Sequence, residues 1–143
     1  MSPAPVRIGV TRDIATCQRL RRTVFTEEQG VSEADEIDGL DAGAIHLLAW
    51  AGARPVGTAR LLLQGATGKI GRVCVLPEAR GTGLGAALIE AALAELRRQP
   101  GVREAVLGAQ SHATGFYARL GFTVEGEEFL DAGIPHRHMR RTL

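Results

Sequence analysis

VCVLPEARGTGLGAAL, residues 73–88, is the stretch of the chain that decides the fold. Its first four residues are apolar, two of them are β-branched, and Pro77 ends the run, so they predict a buried strand. Three glycines then alternate with larger residues, and apolar side chains recur afterwards at helical spacing. Because glycine has no Cβ, the backbone N–H groups of such a loop can converge on an anion at a helix N-terminus. Arg80 adds a positive charge, and we therefore expect a phosphate or pyrophosphate to bind here. The expected binding residues are Arg80, Gly81, Thr82, Gly83, Leu84, Gly85 and Ala86.

Other interpretations of this loop are a simple tight turn and two nucleotide-binding motifs. No Lys-Ser/Thr pair follows the glycines, so the P-loop pattern is absent. Gly81, Gly83 and Ala86 satisfy the G-x-G-x-x-G/A pattern of dinucleotide-binding proteins, which also requires an acid at the end of the next strand. That strand ends in Val-Leu-Gly-Ala-Gln at residues 106–110 and has no acid. A dinucleotide site stays an alternative, but the sequence disfavours it.

The spacing Arg80-x-x-Gly83-x-Gly85 after a strand resembles the acyl-CoA-binding motif of the GCN5-related N-acetyltransferase (GNAT) superfamily. Phe-Tyr-Ala-Arg-Leu-Gly-Phe at residues 116–122 is similar to the FYxxxGF segment that follows this motif in the family. Further segments look like the ElaA/YjcF-type subgroup, and together they cover residues 6–143. These segments are Val24-Phe25, Glu28-Gln29-Gly30-Val31, Asp38, His46-Leu47-Leu48-Ala49, Ala109-Gln110 and Gly133-Ile134-Pro135-His136. We therefore expect one GNAT N-acetyltransferase domain over residues 1–143.

The predicted fold class is α/β, with a mixed, mostly antiparallel sheet flanked by helices. Periodicity and turn residues predict strands at 6–10, 44–50, 56–63, 69–76, 102–109, 122–130 and 136–143. They predict helices from residue 11 or 13 to 28, from 83 to 98 and from 111 to 120. The leucines at the end of strand 56–63 suggest burial on both faces. The resemblance implies that the sheet splays open between the central parallel strands, which end at Val75 and Ala109.

The resemblance also implies acetyl-CoA as cosubstrate, with no metal. A pyrophosphate needs N–H donors and positive charge, which the glycine loop supplies. The amide-like pantetheine arm is suited to an exposed strand edge, and we expect it to pair with the backbone of Val73, Cys74 and Val75. A backbone N–H near Val75 could also polarise the thioester carbonyl. Gln110 stands where many family members have an asparagine, and its amide is expected to bind the cofactor.

Tyr117 is the only tyrosine of the chain. Taken alone it would be interpreted as a core aromatic residue beside Phe116. The resemblance implies instead that its hydroxyl protonates the departing CoA thiolate, and a phenol can serve as such a donor. We therefore predict Tyr117 as a catalytic residue that also contacts the cofactor.

The general base does not carry over from the family. Many members have a glutamate on the strand before the glycine loop, whereas residues 69–74 here are Lys-Ile-Gly-Arg-Val-Cys. The remaining candidates are Glu36, Asp38, His46, His112 and His136. His136 lies in the Gly-Ile-Pro-His segment of the subgroup and is the predicted base. His136 and His138 share a strand face, but spacing supplies no third ligand for a metal site.

The acid-rich segment 31–43 has two interpretations. It is either a solvated connection or a surface that attracts a cationic amine toward the acceptor site. The basic cluster Arg19, Arg21 and Arg22, and a second one at residues 137–141, are both expected to be solvated faces.

Length and composition indicate one ordinary globular domain. The chain has 143 residues, 45% hydrophobic and 23% charged, with a formal net charge of +1. This near balance argues against bulk attraction to nucleic acid or to a membrane surface. Cys17 and Cys74 fall on apolar faces, as core residues in a reducing compartment. No apolar run approaches 18 residues and no signal peptide is recognisable, so we expect a cytoplasmic protein. Apolar edge strands permit a homodimer.

The predicted function is transfer of an acetyl group from acetyl-CoA to a primary amine by direct attack in a ternary complex. Covalent catalysis by Cys74 is a lesser variant, because a buried thiol without a nearby histidine is a poor nucleophile. A non-catalytic acyl-CoA sensor or scaffold is the alternative from another functional class. The acceptor could be a small amine, an amino sugar, a peptide N-terminus or a protein lysine.

Overall fold

A computed structural model of the chain describes residues 5–143. A single sheet of seven strands in the order β1-β2-β3-β4-β5-β7-β6 forms its centre. The strands are β1 (Val6–Thr11), β2 (Ile45–Ala51), β3 (Arg54–Gln64), β4 (Thr67–Val75), β5 (Glu104–Gln110), β6 (Thr123–Asp131) and β7 (Ile134–Thr142). The α-helices are α1 (Ile14–Arg21), α2 (Glu33–Glu36), α3 (Leu84–Arg98) and α4 (Thr114–Arg119). The mixed α/β fold with a mostly antiparallel sheet is confirmed.

The sheet opens between its two central strands, as the resemblance implied. β4 and β5 form the parallel pair, and only residues 67–69 pair with residues 104–106. Beyond these three pairs each strand follows a different partner. β4 remains paired with β3 as far as Val75 opposite Gly57, and β5 remains paired with β7 as far as Gln110 opposite His136. A wedge-shaped cleft therefore separates the C-terminal ends of β4 and β5.

Helix α3 makes the crossover from β4 to β5 and packs on the sheet. Its buried side chains are Leu84, Leu88, Ile89, Ala92, Leu93 and Leu96. Each buried leucine or isoleucine stabilises the fold by about 1.5–3 kcal/mol relative to an exposed one. A Cβ on Gly68 would lie 2.3 Å from Leu96 Cδ2, so glycine is required at the start of β4 for α3 to approach. This close packing keeps the N-terminus of α3 beside the open end of the sheet.

The first helix is continuous from Ile14 to Glu28, as predicted, but it changes its hydrogen-bond pattern midway. Asp13 caps α1 by accepting hydrogen bonds from Thr16 N at 3.1 Å and Thr16 Oγ1 at 2.6 Å. From Arg22 to Glu28 the chain is a π-helix. Gly30 follows with a φ of +74°, the left-handed conformation that ends many helices. Since π-helical turns are concentrated at functional sites, this segment is a candidate for a role in function.

Three expectations from the sequence need correction. Val56 to Leu61 are buried on both faces of β3, but Leu62 is only half-buried and Leu63 is 44% exposed, because the strand leaves the core there. The segment 31–43 is not a plain solvated connection, since it contains α2 and a 3₁₀ turn at Asp41–Gly43. Arg21, expected on a solvated face, is 1% exposed.

Candidate functional site

A cleft of about 580 Å³ lies between the diverging ends of β4 and β5. The π-helix contributes side chains on one side, and the hairpin of β6 and β7 contributes them on another. The predicted site residues that line it are Val73, Cys74, Val75, Arg80, Gln110, Tyr117 and His136. Residues 81–86 do not line the cleft itself but continue directly from Arg80 at its edge. The structure thus brings together residues from widely separated parts of the chain.

The glycine loop presents a row of free backbone donors. The first N–H of α3 with a backbone acceptor is that of Ala87, which donates to Gly83 O at 3.0 Å. The six preceding N–H groups, from Gly81 to Ala86, have no acceptor within residues 5–143. Gly81 and Gly83 have φ values of +75° and +84°, and no atom lies within 4 Å of where their Cβ atoms would be. Free donors at the N-terminus of a 15-residue helix fit an anion such as a pyrophosphate.

The β4 wall offers backbone groups to the cleft from Val73 and Val75 rather than from Cys74. Leu76 N donates to Val56 O at 2.8 Å, and Cys74 is the register partner of Thr58. Because antiparallel pairing alternates, the backbone of Cys74 faces β3 and that of its two neighbours faces the cleft. The expectation that Cys74 offers its backbone to a ligand is therefore not supported.

A β-bulge precedes this wall. Gly71 pairs with Arg60 and Cys74 pairs with Thr58, so two residues of β4 stand opposite one residue of β3. Arg72, in the bulge, has a φ of +51°, a rare conformation for a residue with a side chain. Bulges bend a strand and re-aim its side chains, and this one turns β4 away from β5 where the cleft begins.

The thiol of Cys74 is unsuited to covalent catalysis. Cys74 is buried, and burial raises the pKa of its thiol to about 12. Thiolate, the nucleophilic form, is therefore scarce at neutral pH. Cys17 is also buried, and burial raises the pKa of that thiol as well. Both cysteines are core residues, as predicted.

Tyr117 lies on α4 with its ring held by two phenylalanines. The ring centroids of Phe116 and Phe122 are 5.0 Å and 6.1 Å from that of Tyr117, both in edge-to-face geometry. Its hydroxyl has no hydrogen-bond partner within residues 5–143 and is available to the cleft. Burial raises the pKa of Tyr117 to about 12, so the phenol keeps its proton at every physiological pH.

His136 combines burial with one free ring nitrogen. It is 8% exposed, and its Nδ1 lies 2.6 Å from Ile134 O. Because a carbonyl oxygen can only accept, Nδ1 carries a proton, and in the neutral imidazole the free lone pair is therefore on Nε2. Nε2 has no partner in the part of the chain that the structure describes. The ring of Phe129 lies 5.7 Å from that of His136 and stacks at 4.1 Å on His138.

Three of the five acids in segment 31–43, namely Glu36, Asp38 and Asp41, are held by arginines in a charge-balanced cluster. Arg21 pairs with Glu36 and, at 2.8 Å, with Asp41. Arg60 pairs with Asp38 at 2.6 Å, and Arg72 reaches the same carboxylate at 3.2 Å. We call these six residues, Arg21, Glu36, Asp38, Asp41, Arg60 and Arg72, the ion cluster. Its three positive and three negative charges cancel, so it is neither a solvated loop nor a free anionic surface for an amine.

The pKa values agree with this pairing. Hydrogen bonds from Arg60 lower the pKa of Asp38 to about 2. Burial alone would raise the pKa of Asp41, but hydrogen bonds from Arg21 and Gln18 outweigh it and hold the pKa below its ordinary value. A carboxylate that is held this firmly as an anion is a weak base. Asp38 is thereby removed as a candidate general base, and Glu36 is occupied by Arg21.

The other two histidine candidates each have one ring nitrogen in a hydrogen bond. His46 is buried on β2 with Nε2 2.8 Å from Asp41 O, and it does not line the cleft. His112 is exposed, and its Nε2 lies 2.8 Å from Gln110 Oε1. His112 and His136 both line the cleft, and each has one ring nitrogen without a partner within residues 5–143, but of the two only His136 is buried.

Contacts of Arg80 differ from the simple expectation of a free positive charge. Its two terminal nitrogens donate to Glu28 at 2.6 Å and 2.7 Å, and its Nε donates to Val75 O at 3.1 Å. Glu28 lies at the end of the π-helix. The next residue, Gln29, accepts a hydrogen bond from Gln110 Nε2 at 3.0 Å. These cross-cleft contacts were not predicted, although Glu28-Gln29 belongs to a segment that marked the subgroup resemblance.

Within residues 5–143, no group of three or more His, Cys, Asp or Glu side chains is arranged to hold a metal ion. No helix in this part of the chain has the length and apolarity that a membrane crossing requires.

Comparison with known proteins agrees with this architecture. Residues 16–143 match the family model described as an acetyltransferase (GNAT) domain. The Bacillus subtilis protein named "Uncharacterized N-acetyltransferase YjcF" is 38% identical over 123 residues, covering 85% of this chain and 87% of that protein. A Pseudomonas aeruginosa acyl-CoA N-acyltransferase structure is 34% identical with a TM-score of 0.84, covering 98% of this chain and 99% of the other. Escherichia coli ElaA is 28% identical with a TM-score of 0.85, covering 96% and 99%. The chain belongs to the GNAT acetyltransferase family and groups with its ElaA/YjcF-type members.

Proposed function

We propose that the protein transfers an acetyl group from acetyl-CoA to a primary amine, by direct attack within a ternary complex in the cytoplasm. The observation that carries this proposal is the cleft between β4 and β5. It brings the protonated phenol of Tyr117 and the imidazole of His136, whose Nε2 has no partner within residues 5–143, to one cavity beside the cleft-facing backbone of β4. An acid and a base of this kind are what acyl transfer to an amine requires.

Cofactor binding follows from two features described above. The six free N–H groups from Gly81 to Ala86 bind the pyrophosphate. The backbone of Val73 and Val75 pairs with the pantetheine amides in the manner of an added strand. Acetyl-CoA supplies the acetyl group as an activated thioester. The N–H of Val75 faces the cleft and polarises the thioester carbonyl.

Tyr117 donates a hydrogen bond to the departing sulfur. Complete proton transfer from a phenol of pKa about 12 to a thiolate of ordinary pKa about 8.5 is uphill by roughly 5 kcal/mol. Tyr117 therefore stabilises the negative charge that develops on sulfur, and the amine proton finally neutralises it. The free phenol without a protein partner is suited to this role.

His136 Nε2 accepts the proton of the attacking amine. The hydrogen bond from Nδ1 to Ile134 O fixes both the tautomer and the ring orientation, as a second group does for many catalytic histidines. The ion cluster supplies no unpaired carboxylate that could do this instead. A histidine base thus replaces the strand glutamate of many relatives.

Calorimetric titration with acetyl-CoA, followed by thiol release against a panel of amines, tests the proposal. We expect binding with release of CoA that depends on the amine. Binding without release for any amine would favour a non-catalytic acyl-CoA sensor. Absence of binding, or displacement by NAD, would overturn the proposed function.

A further inference from the structure

The end of the π-helix contacts both walls of the cleft. On the β4 side Glu28 holds Arg80 through two hydrogen bonds, and on the β5 side Gln29 holds Gln110 through one. These neighbouring residues therefore bridge the opening into which the proposed function places the pantetheine arm. The Glu-Gln pair belongs to a sequence segment to which the proposed mechanism assigns no role.

Arg80 hydrogen-bonds to two groups at once, the carboxylate of Glu28 and the carbonyl oxygen of Val75. While Glu28 holds its terminal nitrogens, its Nε donates to Val75 O at 3.1 Å. By the strand alternation, this carbonyl faces the cleft and is one of the acceptors that a bound amide would use. The guanidinium of Arg80 thus blocks a backbone acceptor on the β4 wall for as long as it stays in this position.

Arg80 also immediately precedes the row of free N–H groups that begins at Gly81. A phosphate bound there comes within reach of the Arg80 side chain, and arginine binds phosphate and carboxylate with the same two-pronged geometry. Glu28 and a phosphate therefore compete for one guanidinium. The existing pair is partly solvated, with Arg80 42% and Glu28 38% exposed, so exchange is not costly.

We propose that Glu28 occupies Arg80 in the free protein in place of the cofactor's phosphate, and that cofactor binding exchanges the carboxylate for the phosphate. The exchange moves Arg80 away from Val75 O, which frees this acceptor for the pantetheine amide. Gln110 changes partner from Gln29 to the cofactor in the same event. Only a ligand that carries phosphate draws Arg80 away, so a ligand without phosphate finds Val75 O still occupied by Arg80 Nε, whether or not residue 28 is charged. This inference rests on the proposed function, because it needs CoA to bind in the cleft.

Glu28→Gln, compared with a matched control, distinguishes the proposed exchange of partners at Arg80 from a general effect of removing one negative charge. The variant keeps the size of the side chain but loses the charge that holds Arg80, so we expect CoA to bind about two- to fivefold more tightly. Glu27→Gln is the matched control, because Glu27 is exposed and makes no ion pair in the described part of the chain. It removes the same charge one residue away, and we expect a smaller change in the dissociation constant of CoA.

Two further measurements sharpen the test. S-acetylpantetheine has the thioester and amides but no phosphate, and its affinity should be the same in Glu28→Gln and wild type. In an Arg80→Gln background, Glu28→Gln should no longer change CoA affinity, because the competing pair is already broken. Weaker CoA binding by Glu28→Gln, or an equal gain for S-acetylpantetheine, would overturn the exchange while leaving the proposed function intact. If wild-type protein does not bind CoA, both fall together.

Discussion

At the residue scale, Tyr117 is the group whose environment is most clearly set for one task. Its pKa is raised to about 12 and its hydroxyl has no protein partner, so it is a permanent donor within the cleft. Replacement by phenylalanine retains the packing against Phe116 and Phe122. We expect Tyr117→Phe to lower kcat about a hundredfold or more, with acetyl-CoA affinity within about twofold of wild type. Thiol-release assays measure kcat, and calorimetry measures the affinity for acetyl-CoA. Unchanged turnover would remove Tyr117 from the mechanism.

His136 permits a second test, because asparagine can imitate one half of the imidazole. The amide of His136→Asn can still donate to Ile134 O, but nothing replaces the basic Nε2. We expect kcat to fall about a hundredfold or more. The rate should then rise about tenfold per pH unit below the pKa of the amine, because only amine deprotonated by solvent can react. The pH profile of kcat/KM distinguishes this from a folding defect, and a wild-type profile in the variant would exclude His136 as the base.

Residue patterns predicted some of these groups and not others. Tyr117 and His136 belong to short segments with recognisable composition, so their place in a cleft could be inferred from the chain. The burial of Arg21 could not be inferred, because a buried arginine and an exposed arginine fit the same helical pattern in the sequence. Its partner Glu36 lies 15 residues away, and only the folded chain brings the two charges together.

At the element scale, the glycine loop requires glycine for its backbone conformation and not for lack of room for a side chain. Gly83 has a φ of +84° and open space around its Cβ position, so a larger residue would meet strain and no clash. We expect Gly83→Val to weaken CoA binding about tenfold or more through a displaced N-terminus of α3. Gly83→Asn is the matched comparison, since asparagine tolerates left-handed backbone better. Calorimetry on both should place asparagine between wild type and valine, and equal affinities would mean that the loop does not bind the cofactor.

Element boundaries were largely predictable from the sequence, whereas element details were not. Strand and helix limits follow alternation, glycine and proline, and the observed ends lie within a few residues of the expected ones. The π-helix at Arg22–Glu28 was not foreseen, because a shift from one hydrogen-bond pattern to another leaves no signature in composition. The β-bulge at Arg72 was missed for the same reason.

At the scale of the whole molecule, the ion cluster ties the segment 31–43 to the sheet and makes stability depend on acid pH. Asp38 has a folded pKa of about 2, below its unfolded value near 3.9, so its contribution is complete above pH 4 and is lost as pH falls toward 2. The difference between the folded and unfolded pKa values corresponds to about 2–3 kcal/mol of unfolding free energy.

We expect Asp38→Asn to be less stable than wild type at pH 7, and the gap between the two to narrow as pH falls from 4 to 2. Urea unfolding at several pH values gives this comparison directly. Asp35→Asn serves as control, because that exposed carboxylate makes no ion pair within residues 5–143. A gap that stays constant with pH would mean that Asp38 contributes through packing and not through charge.

The overall architecture was the most predictable level. Its sequence motifs specify a strand, a glycine loop and a crossover helix, and these fix the position of the cleft. The acceptor class was not predictable, because no motif in the sequence specifies which amine the cleft receives. The charge balance of the ion cluster was also hidden, since a run of five acids in sequence gives no sign of arginines supplied from elsewhere.

The short pairing between β4 and β5 has a consequence for solubility. A strand edge with unpaired N–H and C=O groups invites strands of other chains to add to it, which is a common route to aggregation. This sheet has two such edges in its interior, where the central strands separate after three residue pairs. The end of the π-helix and the β6–β7 hairpin line the cleft on either side of these edges, which limits the space for a second polypeptide to align there. The fold therefore exposes these strand edges to a narrow amide chain such as pantetheine, but hinders strand pairing with a second copy of the protein.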